Sequence, residues 1–402
     1  MADNTQKTIV CFTTYHKGME FMRACKKLGC KVILITVEKL RHEEWPHESL
    51  DEIFYIPEES ENVNMDNVIK GIAYLMSKMK IDQIVALDDF DVERVAQVRE
   101  EFRIAGMGQT RARYFRDKLA MRKQAHENKI LVPPFTAVFN NEDVHAFTQK
   151  NAAPWVLKPR SSASAIGIKK IMDTNQLWNV LNSLGDERFK YVLEQFIPGD
   201  VFHVDSLIDN EKILFARAHK YMKPPMAVAH EGDVFRSHTL EYGTDEEKEL
   251  IEANAKLLKA FGMKRGASHT EFIKAHADGK IYFLETSARV GGANLVEMIE
   301  ASSGINLWSE WAKIELSNGE YKLPKVAKEY SGIIITLSKQ THPDMSSYND
   351  GEIVWKMNKK QHAGLIIKAK KLDKVTSLLN QYAERFHQDF FASAPLADKP
   401  SA

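Results

Sequence analysis

The chain has 402 residues, room for two or three domains at roughly 150 residues each. Its residues are 44% hydrophobic and 27% charged with a formal net charge of zero, which fits a globular protein with a core and excludes a global field drawing it to nucleic acid or an anionic membrane. The start is polar, the apolar run IVCF is too short for a signal-peptide core, and no stretch approaches the roughly 20 apolar residues that span a bilayer, so a cytoplasmic protein is expected. Cys11, Cys25 and Cys30 are odd in number and lack metal spacing, as expected of reduced thiols.

In chain order, TIVCF (8–12) reads as a buried strand, 19–29 as an amphipathic helix stopped by Gly29, and KVILITV (31–37) as a second strand. A helix over 65–79, a strand over 82–87 and a helix over 92–102 follow. This alternation predicts a parallel, doubly wound, Rossmann-like domain over about 1–110. TTYHKG after the first strand carries only Gly18, which argues against a classical dinucleotide fingerprint. DDFD (88–91) follows the third strand, where open α/β sheets place ligands; it reads equally as a solvated turn capping the next helix.

From residue 111 the texture changes. A basic helix closed by VPP (132–134) holds Arg111, Arg113, Arg116, Lys118, Arg122 and Lys123, read as a solvated face rather than a nucleic-acid patch. Short strands with turns to about 320 give an α+β region with antiparallel pieces. Strands at 332–339, 352–357 and 364–370 and a helix near 371–387 form a small C-terminal α+β unit over 321–402, with the tail ASAPLADKPSA expected to be disordered.

Four stretches could carry chemistry. SHTEFIKAHADGKIYFLET predicts a hairpin whose register decides where Glu271 and Glu285 point. A two-residue Asp-Gly turn separates them; a three-residue loop with left-handed Gly279 pairs His276 with Lys280 and sets the glutamates face to face, and is the preferred register. Facing carboxylates repel, and the pair reads either as two solvated glutamates or as ligands of a divalent cation such as Mg²⁺. In FLETSARVGGANLVEM (283–298), Gly291-Gly292 permit close backbone approach, Asn294 is placed to cap a helix ending at Gly304, and the helix start with Arg289 favours an anion. WVLKPRSSASAIGI (155–168) ends a strand in Lys158 before a loop of small residues, suited either to phosphate oxygens or to an open surface. In YVLEQFIPGDVFHVDSLI (191–208), alternation puts Phe202, Val204 and Ile208 on one face and Val201, His203, Asp205 and Leu207 on the other. Arg217, His219 and Arg236 are candidate phosphate or substrate contacts or surface cations, and His269 reads as a core or surface histidine.

Lys118 in RDKLAMRKQAHENKILVPPF, Lys158 in VLKPRSSASAIGI, YVLEQFIPGD, HTEF and FLETSARVGG, in that order, resemble the motif series of the ATP-grasp superfamily over about residues 105–320. The texture is nearest that of amino-acid and peptide ligases. The resemblance implies a pre-ATP-grasp α/β domain over 1–110 and an ATP-grasp domain over 111–320, with a lid subdomain at about 125–195. It implies an ATP-dependent carboxylate–amine ligase, with alternatives in a biotin-carboxylase or carbamoyl-phosphate-synthetase type of enzyme and in a non-catalytic ATP-binding module. Lys118 and Lys158 would bind ATP phosphates, Glu194 the adenine amino group, and Phe196 and Ile197 the adenine ring. Glu271, Glu285 and Ser287 would hold Mg²⁺, with Mn²⁺ as a substitute, while Lys158 and Arg289 would serve catalysis. Val201 stands where the family carries a ribose-binding glutamate, leaving Asp200, His203 or Asp205 to substitute, and Ser287 stands where it carries asparagine. Arg217 joins the nucleotide contacts. Partners implied are a small carboxylate and an amine, with no nucleic acid or membrane; a homodimer is the default assembly.

Overall fold

In the computed structural model, residues 6–57, 63–162, 166–317 and 319–392 are described. Residues 163–165 of the small-residue loop, and the tail beyond Ala392, lie outside them. Free cysteines Cys11, Cys25 and Cys30 are all buried, and no helix among the described residues is long and apolar enough to cross a membrane.

The first four strands are β1 (Thr8–Phe12), β2 (Lys31–Val37), β3 (Glu52–Ile56) and β4 (Gln83–Ala86). They form a parallel sheet in the order β3-β2-β1-β4. Every residue of β1 is buried, because helices cover both faces and no polar edge is needed. The helices Met19–Lys27, Met65–Met76 and Val92–Phe102 match the periodicity that predicts them.

A second sheet is built from β5 (Phe135–Ala137), β6 (Trp155–Pro159), β7 (Lys169–Ile171) and β8 (Tyr191–Gln195), antiparallel in the order β5-β8-β6-β7. Its core gathers Val144, Phe147, Trp155, Leu157, Leu177 and Leu193.

The third sheet has eight strands: β9 (Gly199–Asp209), β10 (Lys212–Tyr221), β11 (Phe235–Thr239), β12 (Gly266–Ala275), β13 (Ile281–Ser287), β14 (Tyr330–Leu337), β15 (Ile353–Lys356) and β16 (His362–Ala369). Their order is β13-β12-β9-β10-β11-β14-β16-β15. The C-terminal strands thus do not stand apart as a small unit. β14 pairs with β11, so β14, β15 and β16 extend the central sheet, and helix Leu372–Asp389 packs on it through Val375 and Leu379.

Gly199 opens β9 where it meets β12. A Cβ there would lie 2.3 Å from the Lys274 carbonyl oxygen, a backbone atom that cannot swing aside. Gly199→Ala is therefore expected to destabilise the chain by about 1–3 kcal/mol in urea unfolding, as overpacking does; a midpoint equal to that of the parent would contradict this packing.

Candidate active site

A cavity of about 600 Å³ lies between the four-stranded antiparallel sheet and the edge of the large one. Lys118, Lys158, Glu194, Phe196, Ile197, Glu271, Glu285, Ser287 and Arg289 all line it.

The facing glutamates come from β12 and β13, where Glu271 pairs directly with Glu285. The turn reaches this register differently from the sequence expectation. Ala275 N–H donates to the Lys280 carbonyl, so the loop holds four residues rather than three, with Gly279 left-handed at φ +67° as expected. That register alone would put Glu271 opposite Leu284. A bulge between Glu271 and Phe272 in the pairing takes up one residue of β13 and brings Glu285 back across from Glu271. Bulges of this kind re-aim side chains near sites, and here one aims a carboxylate. Tyr221 Oη donates to Glu271 at 2.8 Å, and Lys118 Nζ pairs with Glu285 at 3.0 Å. Burial would raise the Glu285 carboxyl, yet Lys118 and Lys158 outweigh it and hold it below the usual range.

The basic stretch is two helices, Gln109–Arg113 and Lys118–Glu127, because Asp117 breaks it and caps the second by accepting from Leu119 N–H at 3.0 Å. It is not a solvated face throughout: Arg116, Lys118 and Arg122 are buried, while Arg111, Arg113 and Lys123 are exposed. Asp117 also pairs with Arg160, and Lys118 Nζ donates to the Ser162 carbonyl at 2.7 Å. Four residues on from Lys118, Arg122 is fully buried and pairs with Glu194 at 2.9 Å. Lys158 and Glu194 share a face of the four-stranded sheet, since Glu194 pairs with Val156, two residues from Lys158. Their charged groups meet at 2.8 Å. Burial pushes the Lys158 ammonium down to about 8, with Arg122 and Lys118 adding to that and Glu194 opposing it. The Glu194 carboxyl is raised by burial but held below its usual range by Arg122 and Lys158. Beside this triad, Lys170 Nζ stands 4.1 Å from the centre of the Phe196 ring.

DDFD at the end of β4 is buried rather than solvated, and it both caps and reaches the site. Asp88 accepts from Phe90 N–H at 3.1 Å, and Asp91 accepts from Thr14 N–H at 2.7 Å. Asp89 pairs with Arg289 at 2.5 Å across 200 residues of sequence. Burial would raise the Asp89 carboxyl, yet Arg289 and Arg116 hold it at about 2. Arg289 therefore arrives at the cavity already oriented by the N-terminal sheet. Helix Leu295–Ser303 follows; Asn294 precedes it with φ 55° but makes no side-chain cap, while Gly304 ends it as expected.

The candidates Asp200, His203, Asp205, Arg217, His219 and Arg236 are not brought into the cavity wall. Asp200 pairs with Lys220 at 2.8 Å. Arg217 is buried against Glu247 and over the Tyr242 ring, 3.6 Å from its centre. His203 is buried behind the cavity, bonded to Asp205 at 2.7 Å and to Ser237 at 2.8 Å. Arg236, on the interior strand β11, donates instead to Asn380 at 2.9 Å. Conversely His269 lines the cavity, 3.6 Å from Glu271. Arg122 and Tyr221 escaped the sequence reading as site residues, and Asp89 entered it only within DDFD, read equally as a capping turn. Arg122 was findable from its i, i+4 spacing to Lys118, and Asp89 from its position after β4. Tyr221 carried no local signal; it reaches Glu271 only through the register of β10.

Residues 151–297 match the family model for the ATP-grasp domain. Over 241 residues the chain is 27% identical to an L-arginine-specific L-amino acid ligase of Bacillus subtilis, covering 58% of each chain. Over 275 residues it is 25% identical to an alanine–anticapsin ligase of Bacillus subtilis strain 168, covering 63% of this chain and 58% of that one. The chain thus spans less than two thirds of the length of these curated relatives. In fold, 97% of it superposes on the whole of the crystal structure of an L-amino acid ligase from Bacillus licheniformis, with a TM-score of 0.74 and 16% identity. Residues 151–297 thus match the ATP-grasp domain, within a chain whose fold is that of ATP-grasp enzymes.

Proposed function

We propose that this protein is an ATP-dependent ligase that joins an amino acid, or another small carboxylate, to an amine through an acyl phosphate, releasing ADP and phosphate. The observation that carries this reading is the convergence of Glu271, Glu285, Lys118, Lys158 and Arg289 on one cavity. The likeness to amino-acid ligases supports it.

Glu271, Glu285 and Ser287 offer the cavity oxygen donors only, and two like charges opposed across a strand pair favour a cation between them. These residues fit Mg²⁺, with Mn²⁺ as a substitute, and such an ion would neutralise charge on the phosphoryl group being transferred. Lys118 and Lys158 hold the ATP phosphates, and Phe196 and Ile197 wall the adenine. Glu194 holds Lys158 in place with its carboxylate turned to the two cations. Arg289, braced by Asp89, orients the substrate carboxylate. A carboxylate oxygen attacks the terminal phosphorus, the bond to ADP breaks, and an acyl phosphate forms. The amine nitrogen then attacks the acyl carbon, loses a proton, and expels phosphate. Catalysis is mainly positioning and charge neutralisation, which these residues supply.

Lys158 gives this reading a pH signature. With its ammonium at about 8, it is charged below that pH and neutral above it. ATP affinity is expected to be level below pH 8 and to weaken up to about tenfold per unit above it, while Lys158→Arg flattens the slope. Calorimetric titration from pH 6.5 to 9.5 checks this; a level profile in the parent protein would contradict a phosphate contact.

The function is tested by supplying Mg-ATP with pooled amino acids and other carboxylates and measuring ADP, AMP and phosphate. ADP release that requires both an acid and an amine is expected. AMP release would contradict an acyl phosphate, ADP that requires bicarbonate and biotin would assign a carboxylase, and ATP binding without turnover would assign a binding module.

A further inference from the structure

Behind the cavity, three strands of the large sheet aim imidazoles at one carboxylate. His203 and Asp205 lie on β9, His219 on β10 and His269 on β12, and the pairs His219–His203 and His269–Asp205 face each other directly across the strands. All four are buried, His269 being 8% exposed and the others fully enclosed. The Nδ1 atoms of His203 and His269 stand 2.7 and 2.8 Å from the two Asp205 oxygens, and His219 Nδ1 stands 3.4 Å from one of them.

This is more than a hydrogen-bonded chain needs. Asp205 is already satisfied by two imidazoles, yet a third is buried against it. Neither ring nitrogen of His219 makes a hydrogen bond among the described residues, though its side chain is fully enclosed. A buried imidazole must place an N–H or a lone pair somewhere, and leaving both without a partner is costly. A metal ion at the centre of the cluster removes that cost.

We propose that His203, His219, His269 and Asp205 form a buried, four-coordinate site for a transition-metal ion of the Zn²⁺ class, separate from the Glu271–Glu285 pair. Imidazole nitrogen and carboxylate oxygen are both donors that Zn²⁺ takes, whereas Mg²⁺ prefers oxygen alone. Donor atoms of His203, Asp205 and His269 already lie within 4.8 Å of one another. A tetrahedral ion at about 2.0–2.1 Å from its ligands separates them by about 3.4 Å, so modest ring rotations complete the site. The outer groups are in place: His203 Nε2 meets Ser237 Oγ at 2.8 Å, fixing which nitrogen faces inward. Gly291 roofs the cluster; a Cβ there would lie 3.0 Å from both Asp205 Oδ1 and His269 Nδ1. The ion would tie β9, β10 and β12 together directly behind Glu271.

The test uses the full-length protein and does not depend on turnover. Metal analysis after growth with zinc and dialysis against excess Mg²⁺ is expected to find one zinc ion per chain. Metal-stripped protein titrated with Co²⁺ should show the intense visible bands of a tetrahedral ion. Zn²⁺ should raise the melting temperature of the stripped parent protein but not of His219→Gln, and Glu285→Gln should keep the zinc that His219→Gln loses. Folded parent protein that binds neither Zn²⁺ nor Co²⁺ would overturn the proposal, as would a zinc ion lost from Glu285→Gln and kept by His219→Gln.

Discussion

Glu285→Gln is expected to lower ADP release by at least about 10²–10³-fold while leaving the fold intact, the scale seen when one preorganised charge-stabilising group is removed. The substitution keeps the shape of the side chain and its place opposite Glu271. It removes the negative charge that balances Lys118 at 3.0 Å and that would hold a cation against the phosphates. Because buried Lys118 and Lys158 hold this carboxylate ionised, neutralising it should lower the melting temperature while the melt stays cooperative. Steady-state ADP release and a thermal melt check both halves. Activity within a few-fold of the parent protein would remove Glu285 from the metal site.

The second large effect is on stability. Glu194 sits 3% exposed between Arg122 and Lys158, and Arg122 is fully buried. Glu194→Gln leaves two buried cations without their anion, a change that costs about 3–5 kcal/mol. The sign of its pH dependence follows from Lys158, whose folded ammonium lies at about 8, below its usual 10.5. Between those values the unfolded chain binds more protons, so stability rises with pH across that window. The deficit of the variant should therefore be largest near pH 7 and shrink toward pH 10, where Lys158 sheds its proton; Arg122 cannot. Urea unfolding of both proteins at the two pH values reads this directly. A variant within about 1 kcal/mol of the parent at pH 7 would show that the triad is not a linked unit.

Three of the four strands of the N-terminal sheet were legible because they are short apolar runs separated by strongly periodic helices, signals carried within each segment; β3, a half-buried edge strand with Glu52 at its start, was not. The cavity was legible in part because ligands of one site recur in a fixed order along the chain: Lys118, Lys158, Glu271, Glu285 and Arg289 each end or interrupt an apolar run. What escaped depends on contacts between distant segments. The pairing of Glu271 with Glu285 came out as expected, but through a four-residue loop and a bulge, two departures that cancel and that turn chemistry alone does not encode. Arg122 read as solvent-facing because a helix shows which residues share a side, not which side is covered. The joining of β14 to β11 pairs residues about 100 apart, such as Phe235 with Ile335, and no local pattern reports it. Arg217 looked like a phosphate ligand by its sign alone; its partners Glu247 and Tyr242 lie 25 to 30 residues on and claim it.

The acyl phosphate is the centre of this account, and isotope transfer reads it most directly. The acid that supports ADP release is supplied with ¹⁸O in its carboxylate, together with Mg-ATP and the amine, and the phosphate is analysed by mass. One ¹⁸O atom in each phosphate released is the expected result, because the oxygen that attacks phosphorus leaves with it. Phosphate free of label, or label recovered in AMP, would contradict the mechanism.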